Sequence, residues 1–185
     1  ERETGVTVFV PDAGVDTGPI VVQRRGVAIE DTDTAASLYF GKLYPLGVEA
    51  MVEAVAKVDG GSARPESQDG ACATFQGLVT DAVARVDWGR SAVEIDRLVR
   101  GCDPSPGAFC LRASGEPVRL FDARFVAGTA GAEPGAVIGL EEGRLLLAAR
   151  GGRVSIGKLR VAGGAKEAAA AVFAGGGLEA GERLR

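Results

Sequence analysis

The sequence predicts an α/β chain in two parts, the second built on a small five-stranded β-barrel with helices. Two β-rich runs and a long helical stripe lie within the first 60 residues, and Gly, Pro and charged residues then interrupt the pattern. Past residue 108, five short strand-like runs alternate with tight turns. The expected organisation is a first domain over residues 1–60, a linker over 61–85 and a second domain over 86–185.

The bulk numbers fit that reading. A chain of 185 residues suffices for one large domain or two small ones, and 46% hydrophobic with 25% charged residues is ordinary for a soluble globular protein. No apolar run approaches the roughly 20 residues that cross a bilayer, and no basic-then-apolar leader opens the chain. A cytoplasmic protein with no membrane association is therefore expected. The start at Glu1, directly into strand-like sequence, suggests a piece of something longer. Three cysteines without a C-x-x-C pair favour reduced thiols over a disulfide framework or metal site. With no His, acid–base chemistry here falls to carboxylates or Lys. Residues 1–87 carry 7 basic against 14 acidic side chains (−7), and residues 88–185 carry 14 against 11 (+3). That second half is mildly basic, well short of an avid nucleic-acid binder.

Val6 to Val10 and Ile20 to Gln23 are β-branched and read as strands. Between them PDAGVDTGP is a tight loop that places Asp12 and Asp16 at a strand end, where a rigid scaffold can present them to a ligand. Both carboxylates also fit the ordinary turn role of bonding their own backbone. Thr32 to Val58 is helical, with Asp31, Thr32 and Thr34 as caps and Pro45 dividing or kinking it. Val48, Met51, Val52, Val55 and Val58 form a stripe that reads as core.

Ser91 and Glu94 have capping-box spacing, and Ala92, Ile95, Leu98 and Val99 give the following helix one apolar face. Gly101, Pro104 and Pro106 stop it. The strands are expected at Phe109–Arg112, Val118–Val126, Ala136–Leu140, Arg144–Ala149 and Arg153–Val161, with hairpin turns at Glu141–Gly143 and Gly151–Gly152. In the last run Leu159 and Val161 fall out of phase with Val154 and Ile156, which predicts a β-bulge at Gly157. Five strands with such a bend suggest a barrel similar to the OB-fold. Lys166 to Phe173 is Ala-rich and helical.

Two stretches carry a resemblance. Asp87, Trp88, Ala92, Ile95, Leu98, Arg100, Pro104, Pro106, Gly107, Ala108 and Phe109 follow in the order found where the C-terminal domain of methionyl-tRNA formyltransferases begins. A similar stretch occurs in the hydrolase part of 10-formyltetrahydrofolate dehydrogenases. Phe9, Asp12, Gly14, Asp16, Thr17, Gly18 and Pro19 are similar to a loop of the same folate-dependent formyltransferases, and LYFGKLYPLGVEAMVEAV resembles the last helix of their catalytic domain.

The resemblance implies the distal half of a Rossmann-like formyltransferase domain followed by an OB-like C-terminal domain. It places Asp16 on the catalytic aspartate, with Val10, Asp12, Gly14, Val15, Thr17 and Gly18 lining the pterin of 10-formyltetrahydrofolate, and it implies no metal. The acceptor it points to first is the amino group of methionyl-tRNA. Arg100 to Asp103 and Phe75 to Gly77 look closer to the hydrolase part, which sends the formyl group to water. The family also uses an Asn and a His from an earlier strand and loop. Since this stretch contains no His, it is expected to be inactive by itself. Arg112, Arg119, Arg124, Arg153, Lys158 and Arg160 are candidates for a surface facing initiator tRNA, or solvated charges on outward strand faces. A non-catalytic RNA-binding or scaffold module is the alternative of a different class.

Overall fold

The computed structural model describes all residues, Glu1–Arg185. The chain divides into two compact units, Glu1–Gly77 and Leu78–Arg185.

The first unit is an antiparallel hairpin with a helix laid against it. Strand β1 (Glu3–Phe9) pairs with β2 (Ile20–Ala28), with Thr7 opposite Gln23 and Val8 opposite Val22. Burial alternates along β1, as a half-covered strand requires. Helix α1 (Ala35–Leu38) starts at Thr34, whose hydroxyl accepts from Ser37 N while the Ser37 hydroxyl accepts from Thr34 N. Of the three expected caps, Thr34 is the one that serves. The chain then passes through a π-helical turn, Tyr39–Leu43, into α2 (Tyr44–Asp59). The Tyr44 N–H reaches back to the Tyr39 carbonyl. This widened turn accommodates Pro45, which lacks an N–H and crowds the preceding turn.

The apolar stripe of α2 is where the structure departs from expectation. Val48, Met51, Val52, Val55 and Val58 are 49–66% exposed, so Met51 is not core. The residues that α2 buries are Ala50 and Ala54, seated among Val6, Val8, Val21 and Val22. Small side chains one turn apart let the helix approach the hairpin closely, and the bulkier stripe stays largely exposed, with Met51, Val55 and Val58 bordering an apolar groove beside Val8 and Val10. Beyond α2, Glu66 pairs reciprocally with Ile20, and a 3₁₀ turn, Gly70–Cys72, is capped by Asp69. Within the expected linker, therefore, residues 66–72 are bonded structure of the first unit.

In the second unit, α3 (Asp81–Ala84) leads through Val86 to α4 (Ala92–Gly101). The α4 capping box is formed: Ser91 Oγ accepts from Glu94 N at 3.3 Å, and the Glu94 carboxylate accepts from Ser91 N at 3.0 Å. Ala92, Ile95 and Val99 are buried, as their spacing predicts. On the same helix Asp96 and Arg100 form a buried pair at 3.0 Å.

The strands are β3 (Ala108–Leu111), β4 (Pro117–Val126), β5 (Val137–Glu141), β6 (Arg144–Ala149), β7 (Gly152–Val161) and β8 (Glu167–Ala168), followed by α5 (Ala169–Ala174). They form one six-stranded sheet, ordered β3-β4-β7-β6-β5, with β8 beside β7. The expected closed five-stranded barrel is not found, because no ladder joins β3 to β5. Instead the C-terminal tail bonds to both outer strands. Arg185 and Leu111 exchange backbone bonds at 2.7 Å, Leu184 N reaches Gly135 O at 2.9 Å, and Val137 N reaches Glu182 O at 2.8 Å.

Nor is there a bulge at Gly157. The β4–β7 register runs unbroken from Val118↔Val161 to Val126↔Arg153. Asp122, at φ 51°, lies opposite Gly157, and a Cβ on Gly157 would fall 1.9 Å from Asp122 Oδ2. Buried residues shift phase on both strands at this point, from Leu120 to Phe121 and from Ile156 to Leu159. The sequence therefore marked a real change of face, achieved by a paired bend without an extra residue. The tight hairpin turn expected at Glu141–Gly143 is present, and Glu142 and Gly143, at φ 50° and 74°, give it the left-handed pair of a type I′ turn. No helix is long and apolar enough to cross a membrane.

Candidate functional site

The loop between β1 and β2 closes at its base by Val10 N donating to Pro19 O at 3.0 Å. Gly18 is buried there because nothing larger fits: a Cβ would lie 1.8 Å from Val10 O. Within the loop, Asp12 Oδ1 accepts from Gly14 N at 2.9 Å and from the Thr17 hydroxyl at 2.7 Å. These bonds favour the ionised carboxylate, the Thr17 hydroxyl foremost, and hold Asp12 below the usual carboxylate range. Asp12 thus organises the loop, as a turn aspartate does.

Asp16 sits at the crest with φ 54°, a left-handed conformation that Asp tolerates better than most residues. Its side chain is engaged by no hydrogen bond or ion pair, and its backbone carbonyl accepts from Gln68 Nε2 at 2.8 Å. Val15, Asp16 and Thr17 border an open cavity of about 910 Å³, walled by Gln23, Arg25, Arg64, Glu66, Gln68 and Phe75 among others. The loop residues singled out from sequence thus divide by position. Val15, Asp16 and Thr17 line the cavity; Asp12, Gly14 and Gly18 shape the loop. Val10 faces a separate apolar groove of about 410 Å³ against Met51, Val55 and Val58.

Sequence reading missed the far wall, Arg64 to Phe75. Its only local signal is Pro65, which favours extended backbone at Arg64 and so a strand-like partner for Ile20. Cys72 is exposed on this wall, whereas Cys102 and Cys110 are buried, and burial pushes the Cys110 thiol up to about 12.

In the second unit the basic side chains do not gather into one free surface. Arg112 is held by Glu182 (2.7 Å) and Glu116 (3.3 Å). Arg119 bonds Asp81 at 3.0 Å and the Gly107 carbonyl at 2.9 Å. Arg153 approaches Glu141 at 3.6 Å. Arg160, directly opposite Arg119 in the ladder, lies over the Phe121 ring at 5.6 Å. Arg124 and Lys158 are exposed and carry no ion pair.

The first unit thus presents an unengaged carboxylate on a strand–loop–strand hairpin beside a large open cavity, and a separate β-rich unit follows it in the chain. Residues 78–177 match the model of the formyl transferase C-terminal domain, and the chain belongs to that family. It is 38% identical over 184 residues to the methionyl-tRNA formyltransferase of Chromobacterium violaceum, covering 100% of this chain and 58% of that protein. The chain thus spans less than two thirds of the length of such relatives. Among solved structures, a variant of HypX from Aquifex aeolicus superposes with a TM-score of 0.79 at 25% identity, over 98% of this chain and 32% of that one. HypX in complex with tetrahydrofolic acid superposes with a TM-score of 0.75 at 26% identity, over 93% of this chain and 30% of that one.

Proposed function

We propose that the protein takes part in formyl transfer from 10-formyltetrahydrofolate to an amine, with the amino group of methionyl-tRNA as the acceptor. The observation that carries this reading is Asp16, a carboxylate without a partner, on a loop fixed by Asp12 and Gln68 at the edge of the cavity. The family membership and the relatives' names supply the reaction. The loop from Val10 to Gly18 serves the folate donor, with Val15, Asp16 and Thr17 as the cavity-facing part.

The chemistry asks for such a group. The amine nitrogen attacks the formyl carbon, a tetrahedral adduct forms, and the bond from that carbon to N10 of the folate breaks. One proton leaves the amine and one is gained by N10. A carboxylate at Asp16 accepts or orients the travelling proton and stabilises the cationic nitrogen of the adduct. In the second unit, Arg124, Lys158 and Arg160 are the side chains best placed to meet tRNA phosphates, since Arg112 and Arg119 are held by carboxylates. The OB-like character expected of this unit belongs to the same reading; the paired bend of β4 and β7 and the tail that bonds both outer strands support it.

The test is Asp16→Asn in the full-length natural protein, assayed with 10-formyltetrahydrofolate for both methionyl-tRNA formylation and formate release. Loss of formylation by two orders of magnitude or more, about the contribution of a general acid–base group, is the expected result. Near-normal transfer by the variant removes Asp16 from the chemistry. Formate release that outpaces formylation in the wild type makes water the acceptor.

A further inference from the structure

The direction of the Asp16 carboxylate depends on its backbone, and that backbone is held in an uncommon conformation. A non-glycine residue at φ 54° lies in the left-handed region, and persists there where its surroundings fix it. Asp12 fixes the front of the loop through Gly14 and Thr17. The back is fixed from outside the loop. The Gln68 Nε2 amide donates one N–H to Asp16 O at 2.8 Å and the other to Gly18 O at 2.7 Å. A primary amide has two N–H donors, and both are spent on the carbonyls that flank Thr17. The peptide plane following Asp16 cannot rotate without breaking the first of these bonds.

The fold delivers Gln68 to that point. Ile20 N donates to Glu66 O at 2.7 Å and Glu66 N to Ile20 O at 2.9 Å, which pins an extended segment against the start of β2. Residue 68, two positions further along, falls on the same side of that segment as residue 66. Both line the cavity that Asp16 borders. One amide thus sets the conformation of a loop more than fifty positions earlier in the sequence.

We propose that Gln68 is the positioning residue for Asp16, holding the loop so that the carboxylate meets the reacting amine. This rests on the reading of Asp16 as the proton-handling group. The experiment compares the full-length natural protein with its Gln68→Leu variant, which removes both donors at similar length, and its Gln68→Glu variant, which faces oxygen toward oxygen. Formyl transfer from 10-formyltetrahydrofolate to methionyl-tRNA is measured in the Asp16 and the Asp16→Asn backgrounds, beside amide hydrogen exchange over residues 14–18. The expected result is a kcat lowered about 10- to 100-fold, the scale of a small misplacement at a reacting centre. The KM for the folate stays within about twofold, and loop exchange is faster. In the Asp16→Asn background the Gln68 substitutions cost little further, because there is no carboxylate left to place. A purely structural role gives the same proportional loss in both backgrounds and overturns the proposal, as does an unchanged kcat. If the wild type transfers no formyl group, the functional reading fails while loop exchange still decides the clamp: unchanged exchange in Gln68→Leu overturns it, and faster exchange upholds it.

Discussion

The C-terminal tail of the second unit offers the sharpest quantitative test of the fold. Leu184 is 1% exposed and belongs to the same core as Val137, Leu147 and Ile156. Its backbone N–H bonds Gly135 O, and its carbonyl packs where a Cβ on Gly135 would stand at 2.5 Å, with the Trp88 ring 3.2 Å from that point. Leu184→Ala leaves those backbone bonds intact and removes only the buried isobutyl group. The loss is the transfer free energy of the deleted carbons plus that of the cavity left between the two outer strands, about 3 kcal/mol within the usual range for such a change. At roughly 4 °C or more per kcal/mol for a domain of this size, the midpoint falls by about 12 °C. Trp88 is the single tryptophan and lies in this core, so urea unfolding followed by its fluorescence isolates the second unit from the first. Glu182→Gln is the companion variant. It weakens the half-buried pair with Arg112 without opening a cavity, and costs about 1 kcal/mol. A Leu184→Ala loss below about 1 kcal/mol, or equal to that of Glu182→Gln, refutes the view that the tail completes the core between β3 and β5.

Three further outcomes follow from the same geometry. Thr17→Val removes the larger of the bonds that hold Asp12 down, so its carboxyl titrates closer to the usual Asp range by NMR; an unmoved midpoint dissociates the hydroxyl from that shift. Because the folded pKa lies below the unfolded one, the stabilising effect of this bond is present at neutral pH. It is lost as pH falls through the folded value, so loop exchange quickens in acid. Iodoacetamide at mildly alkaline pH labels Cys72 rapidly and spares Cys102 and Cys110, whose thiols burial both shields and raises; labelling of all three at similar rates contradicts the packing of β3. Val52→Ala, on the exposed stripe of α2, shifts the unfolding of this chain by no more than about 0.5 kcal/mol, and a loss on the scale of Leu184→Ala shows that face to be covered.

What was legible in the sequence follows from the range of the interactions involved. The α4 capping box, the hairpin turn before Arg144 and five of the strands are written in residues within a few positions of one another, and the structure places them where those residues indicate. The phase change at Gly157 was equally visible, yet its mechanism was not. One strand's pattern records that the buried face switches; only the partner strand reveals that Asp122 switches with it and keeps the register whole. Closure by the tail was hidden for a related reason. Residues 181–185 have no strand pattern and take their order from backbone bonds to Leu111, Gly135 and Val137.

The α2 stripe and Gln68 show the same limit from opposite sides. Periodicity states that Val48, Met51, Val52, Val55 and Val58 share a face, and it is right about that. It is silent on which face meets the hairpin, and close approach chose Ala50 and Ala54, whose small side chains admit the backbone of β1 and β2. Hydrophobicity thus overstated what the stripe does in this unit. At Gln68 a polar residue in a Gly- and Pro-rich run looked like solvated linker, although its amide holds the loop that carries Asp16. A side chain whose effect is exerted through another residue's backbone leaves no chemical signature of its own in the sequence. The loop that carries Asp16 is visible in the sequence because two carboxylates, two glycines and two prolines sit within nine positions, and it is the resemblance to formyltransferases that singles out Asp16 among them. The support of that loop is not visible, because the two carbonyls that need it look like any others until the fold brings an amide to them.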